Sequence, residues 1–193
     1  LVIDTIGAAT TTAALATLSL TTTTGTIGVG AITADALTDM TVASTTGAQT
    51  IAAVTSAALT DVTLSSTTGA ITQTGTIAGD ALVNYSASST TGALTLGAVT
   101  TGVTASNPLK TYSVTTTTGN VVSTGAITAT AGVAAASMTS YTIVMGANTT
   151  ANVYGAINLD TDGTLGTYSI TAGASTAANT YGEITAASIG AMN

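Results

Sequence analysis

The chain has 193 residues and a formal net charge of −7, from one Lys or Arg and eight Asp or Glu, with no His, Cys, Trp or Phe. Those absences exclude imidazole bases, thiolate nucleophiles and the usual zinc sites, and one cation, Lys110, cannot form the basic stripe that nucleic acid requires. Charged residues are 5% of the chain and about a quarter of it is Thr, which with Val, Ile, Ala and Gly is a strand composition and not a disordered one.

The first residue is Leu1, so the chain reads as a processed or excerpted segment. The opening run Leu1-Val2-Ile3-Asp4-Thr5-Ile6 is strand-like and aligns with Gly69-Ala70-Ile71-Thr72-Gln73-Thr74. The uncharged stretch 8–34 is studded with Thr and Gly, so it alternates and does not read as a membrane helix.

From there a repeat takes over. Runs of Ser or Thr ending in Gly recur at Thr21–Gly25, Ser44–Gly47, Ser65–Gly69, Ser88–Gly92 and Thr115–Gly119, the glycines 22, 22, 23 and 27 residues apart. A second marker keeps the same phase. It reads Gly7-Ala8-Ala9, Gly30-Ala31-Ile32, Ala52-Ala53-Val54, Gly75-Thr76-Ile77, Gly97-Ala98-Val99, Gly125-Ala126-Ile127, Gly155-Ala156-Ile157 and Gly182-Glu183-Ile184. Chance low complexity would not hold two markers in phase. Ahead of each Ser/Thr corner, apolar and hydroxyl residues alternate, as in Val62-Thr63-Leu64-Ser65 and Tyr112-Ser113-Val114-Thr115. Period two buries one face and wets the other. Each repeat thus holds about three short strands, with glycine at the corners expected to supply positive φ.

Three short strands cannot bury a core alone, but stacked repeats can. The fold expected is all-β: a right-handed parallel β-solenoid, or β-helix, of about 7–8 coils with 22–30 residues per coil. Residues 1–193 form one domain, with narrower coils over about 1–96 and wider coils over about 97–193. The competing architecture is a β-sandwich fibre subunit joined by strand donation.

These in-phase Thr-Thr-Gly and Gly-Ala-Ile repeats resemble the β-solenoid shafts of secreted bacterial adhesins of the filamentous-haemagglutinin type. The richness in Thr, Ala and Gly, with almost no Lys, is similar to surface-layer proteins. The resemblance covers nearly the whole chain and is one of pattern. It implies an extracellular, cell-surface structural protein and no enzyme activity.

Stacking converts repeat positions into columns. The inward column expected on the third strand holds Leu18, Met40, Val62, Tyr85, Tyr112, Tyr141 and Tyr168, so four tyrosines stack in succession. Tyr154 and Tyr181 form a shorter column. The outward columns are Ser19, Thr41, Thr63, Ser86, Ser113, Thr142 and Ser169, and Thr21, Ala43, Ser65, Ser88, Thr115, Val144 and Thr171. Such a flat hydroxyl face is the alternative functional surface, for ice or for cell-surface glycans. Asp39, Asp61 and Asn84 share one position, with Asp35 and Asp80 nearby and Lys110 near its continuation. Asn84 and Asn148 begin Asn-X-Ser/Thr tripeptides, the pattern of glycosylation acceptors. Asn158, Asp160 and Asp162, ahead of Gly163, place oxygens at alternate positions, the spacing a calcium ion uses; a plain Asp-Gly turn fits the same residues.

The carboxyl end, 182–193, aligns with 30–41, with Met192 at the Met40 position. Both ends therefore fall in mid-coil with no capping segment, and open solenoid ends are unpaired strand edges. The function expected is a subunit or shaft segment of a surface filament, self-assembling head to tail through Leu1, Val2, Ile3, Ile6, Ile184, Ile189 and Met192. Beyond the calcium option no cofactor is expected, nor is insertion into a membrane.

Overall fold

A computed structural model describes residues 2–3 (backbone only), 15–102, 109–129, 136–147, 150–174 and 176–193. Every strand pair in it is parallel, which excludes the β-sandwich alternative. Among the described residues there is no helix, and so none long and apolar enough to cross a membrane.

The strands form three parallel sheets of eight, seven and eight strands. The first runs from Val2–Ile3 to Thr180–Tyr181, the second from Ile32–Thr33 to Ile184–Thr185, and the third from Thr17–Thr22 to Ser188–Met192. The chain visits the sheets in that order, turns at the Ser/Thr-Gly corner and climbs one level. This is a β-solenoid of about seven turns. The third sheet is the long face. Its strands have six residues up to Thr111–Thr116 and nine at Ser137–Met145 and Thr164–Ala172.

The alternating residues explain the core. Ile32, Val54, Ile77, Val99, Ile127 and Ile157 line the second sheet from inside, all essentially inaccessible. On the third sheet, Leu18, Met40, Val62, Tyr85, Tyr112, Tyr141 and Tyr168 pair level by level. An extra residue, Val122, enters the first sheet between Leu94↔Val121 and Thr95↔Ser123 as a bulge and stands exposed.

Glycine is required at the corners for a reason other than the one expected. None of Gly47, Gly69, Gly92 and Gly119 has a left-handed φ. Instead, a Cβ on each would overlap the carbonyl of the corner glycine one coil below: Gly25, Gly47, Gly69 and Gly92 in turn. Close approach of backbone to backbone excludes any side chain. The second marker works alike, since Gly97, Gly125 and Gly155 sit on Gly75, Gly97 and Gly125.

The residues before each corner glycine bind the coils together. Backbone amides of Thr46, Thr68 and Thr118 donate to the carbonyls of Thr23, Thr45 and Thr90 at 2.8–2.9 Å. Their hydroxyls reach the same carbonyls at 3.2–3.4 Å. Beneath them, within the same Ser/Thr corner runs, lies a buried hydroxyl column. Ser44 and Thr116 donate to the carbonyls of Gly47 and Gly119, both at 2.6 Å, and Ser89 accepts from the amide of Gly92 at 2.9 Å. The run is Ser/Thr-rich because a small hydroxyl both fits there and satisfies the corner backbone.

The amino-terminal register differs from expectation by two residues. Ile3 pairs with Val29, which continues through Ile51 to Gln73, and not in the column of Ile71. A two-residue slip keeps every side chain on the same face, so alternation alone cannot detect it.

Candidate functional site

Three features stand out: the tyrosine column, the long hydroxyl face and the open terminal coil. In the first, the rings of Tyr85, Tyr112, Tyr141 and Tyr168 stack at centroid distances of 4.9, 5.1 and 5.2 Å and within 6° of parallel. This is the coil spacing imposed on aromatic rings. Tyr154 and Tyr181 stack at 5.2 Å with a 30° tilt. Burial raises the phenol pKa of Tyr85, Tyr112 and Tyr141 well above the ordinary value. Tyr154 is pushed up to about 12, by burial first and then by Tyr181 and Tyr168.

The hydroxyls of the column are unequally served. Tyr85 donates to Gln73 Oε1 at 2.6 Å, and Tyr141 shares a 3.3 Å contact with Thr124 Oγ1. Leu96 lies between Gln73 and Thr124 along the facing column, so the Tyr112 hydroxyl has no partner among the described residues. Two conservative substitutions should therefore diverge. Tyr85→Phe strands the Gln73 carbonyl oxygen and should cost about 1–2 kcal/mol, whereas Tyr112→Phe removes an unsatisfied group and should be neutral or stabilising. Urea-unfolding midpoints of the two variants measure the difference.

The outward face of the third sheet carries the hydroxyl columns in the register expected. Ser19, Thr41, Thr63, Ser86, Ser113, Thr142 and Ser169 stack in line. Beside them Thr17, Asp39, Asp61, Asn84, Thr111, Ser140 and Thr167 form another line. The polar members bond along this second line: Asn84 Nδ2 donates to Asp61 at 2.7 Å, and Thr111 donates to Asn84 Oδ1 at 2.6 Å. Thr38 donates to Asp39 at 2.6 Å. The Lys110 ammonium donates to Ser137 Oγ at 2.9 Å. Asn84 is half-buried at the first residue of its strand, so a glycan there would take its amide nitrogen from Asp61. Asn148 lies outside the described residues.

Asn158 ends a strand of the second sheet, and Asp160 and Asp162 follow it on the turn that leaves that strand. Asn158 Oδ1 accepts from the amide of Asp160 at 3.0 Å, Asp160 Oδ1 accepts from Thr161 N at 2.8 Å, and Asp160 has φ of 71°. Two of the three oxygen-bearing side chains thus close the turn themselves. Among the described residues no group of three His, Cys, Asp or Glu is placed to hold a metal ion.

The terminal coil holds the residues expected at an interface. Ile184, Ile189 and Met192 all occupy inward columns of its strands, which pair on one edge only. Met192 is 63% exposed, Tyr181 55% and Ile189 37%, whereas Tyr154 and Leu165, one coil below, are 1% exposed. At the other end, Val2 and Ile3 extend the first sheet through their backbone. Leu1 and Ile6 lie outside the described residues.

One column was missed in the sequence. Leu15, Leu37, Leu59, Leu82, Leu109, Met138, Leu165 and Ile189 each stand three residues before the inward column of the third sheet. From Leu37 to Leu165 they are at most 1% exposed. Their recurrence every 22–29 residues was available as a third marker.

Comparison with protein-family models, with curated proteins and with solved structures finds no match.

Proposed function

We propose that this chain is a structural, non-enzymatic building block: a rod segment of an extracellular filament or adhesin shaft at a cell surface. It lengthens by coil-on-coil stacking of open solenoid ends. The observation that carries this reading is the stack of in-register parallel levels, each built on the hydrogen-bonding edge of the one below. A sheet edge of this kind recruits another strand. Contacts that repeat without closing make filaments. The likeness to filamentous-haemagglutinin-type shafts and the near-absence of Lys and Arg, which leaves few trypsin sites, agree with an extracellular setting.

Electron microscopy of the purified chain tests the reading. Unbranched filaments with an axial repeat of about 4.8 Å are expected. Monodisperse rods of a single chain at high concentration would overturn it.

A second reading uses the third sheet as a binding face for ice or for cell-surface glycans. The observation favouring it is the set of in-register hydroxyl columns on the long face. Ala43 and Val144 interrupt one of these columns, which weighs against a uniform lattice. Thermal hysteresis and glycan-array binding distinguish the two forms of this reading.

A further inference from the structure

The corner column changes character in one coil. Lower down, a buried hydroxyl, that of Ser44, Ser89 or Thr116, ends the third-sheet strand and bonds the backbone of the corner glycine. The register Thr115↔Val144 puts Met145 next in line, at the place Thr116 holds one coil below. Its thioether is 3% exposed and receives two buried donors, Tyr154 Oη at 3.5 Å and Asn152 Nδ2 at 3.8 Å. We propose that Met145 is a peroxide-reactive modification site whose sulfoxide the fold is arranged to hold. Oxidation there strengthens the solenoid, whatever the chain assembles into.

Three observations carry it. First, good donors are spent on a poor acceptor. A thioether sulfur accepts weakly, yet the Tyr154 hydroxyl is aimed at it from a site only 1% exposed, and Asn152 beside it is wholly buried. A buried donor without a good partner carries its desolvation cost, so both groups gain from the polar oxygen of a sulfoxide. Second, oxygenation returns an oxygen to a side chain of the corner column, in which Ser44, Ser66, Ser89 and Thr116 already carry one. Third, the sulfur belongs to the rim of the core. Met145 is the last residue of its strand, followed by half-buried Gly146 and exposed Ala147. Met40 and Met138 are the second residues of their strands and are 1% exposed. Neither of their sulfurs receives a hydrogen bond among the described residues.

Hydrogen peroxide suffices as the oxidant. A lone pair of the Met145 sulfur attacks one peroxide oxygen, an S–O bond forms and the O–O bond breaks. The second oxygen leaves with both protons as water. Sulfur gives up two electrons and the peroxide takes them. Tyr154 and Asn152 then donate to the new oxygen in place of the sulfur. Oxidation of a core methionine ordinarily disrupts the core by placing a polar group among apolar ones. At Met145 the sign is reversed, and the sign is what an experiment reads.

The test is hydrogen peroxide treatment of the full chain carrying Met192→Leu, which removes the exposed sulfur. Fragmentation mass spectrometry locates the oxygen and urea unfolding reads the stability. One oxygen is expected on Met145, taken up while the circular dichroism of the strands is intact. The folding equilibrium constant should then rise about fivefold, the worth of one improved buried hydrogen bond. A constant lowered or unchanged by oxidation at Met145, or uptake there only after the strands are lost, would overturn the site. Tyr154→Phe removes the nearer donor, so oxidation in that variant should lower the constant as at an ordinary core methionine. A gain that survives Tyr154→Phe would overturn the donor's role. Met145→Leu conserves volume and should abolish the response to peroxide; a gain that persists there would place the effect at Met40 or Met138 and overturn the assignment.

Discussion

Gly69→Ala is expected to destabilise the fold by about 3 kcal/mol, near the upper end for overpacking. The added methyl would overlap the Gly47 carbonyl and crowd Ala48 N, backbone atoms that cannot swing aside as a side chain could. The φ of Gly69 is not left-handed, so the loss is steric and not conformational. Gly25→Ala supplies the control within the same corner column. There the nearest atom to a new Cβ is Thr22 Oγ1 at 3.3 Å, and a change of about 0.5–1 kcal/mol is expected. Denaturant unfolding of the two variants measures the contrast. Equal losses at both positions would mean that the corners do not stack in this way.

That contrast shows what the sequence could and could not convey. Periodicity located the corners and the tyrosine column, because a stacked fold turns spacing into contact. Gly25, Gly47 and Gly69 are 22 residues apart and sit one above another. The physical reason for each glycine was not legible, since a turn and a close approach select the same residue. The register of Ile3 was misplaced because a slip of two preserves inside and outside. The buried hydroxyls of Ser44, Ser89 and Thr116 were hidden among other Ser and Thr residues, where composition gives no sign of direction. The leucine column was legible as a third period but stands outside the two-residue alternation, since Leu37, Leu59, Leu82 and Leu109 occupy the bends ahead of the third-sheet strands. Of the candidate site, Ile184, Ile189 and Met192 followed from aligning the last coil with an earlier one. Tyr181 was recognised as a stacking residue, but its exposure required the structure.

Alkaline pH is expected to unfold the protein abruptly. In the unfolded chain every tyrosine loses its proton near pH 10. In the fold, burial holds Tyr85, Tyr112 and Tyr141 protonated well beyond that. Above about pH 10 the unfolded state therefore binds fewer protons than the folded one, and stability falls as pH rises. Each buried phenol contributes a slope of about 1.4 kcal/mol per pH unit. For Tyr154 the slope ends as pH passes about 12, where its folded form also ionises. Below pH 10 the phenols are neutral in both states and contribute no pH dependence. Circular dichroism and the tyrosinate absorbance of Tyr85, Tyr112 and Tyr141, taken as the difference from a variant with Phe at these three positions, should change in one cooperative step. Tyrosinate of these three residues appearing gradually around pH 10, with the strand signal intact, would show that the column is open to solvent.

The orientation of the strands also sets how such a rod bears load. Because they lie across the long axis, the hydrogen bonds between coils point along it, and tension applied to the ends pulls each ladder in the direction of its bonds. Each level is held only by its immediate neighbours, so the weakest boundary parts first and the remaining levels keep their shape. Extension then proceeds as successive small releases of roughly one coil of chain, and a shaft of this construction gives way by paying out length instead of by snapping.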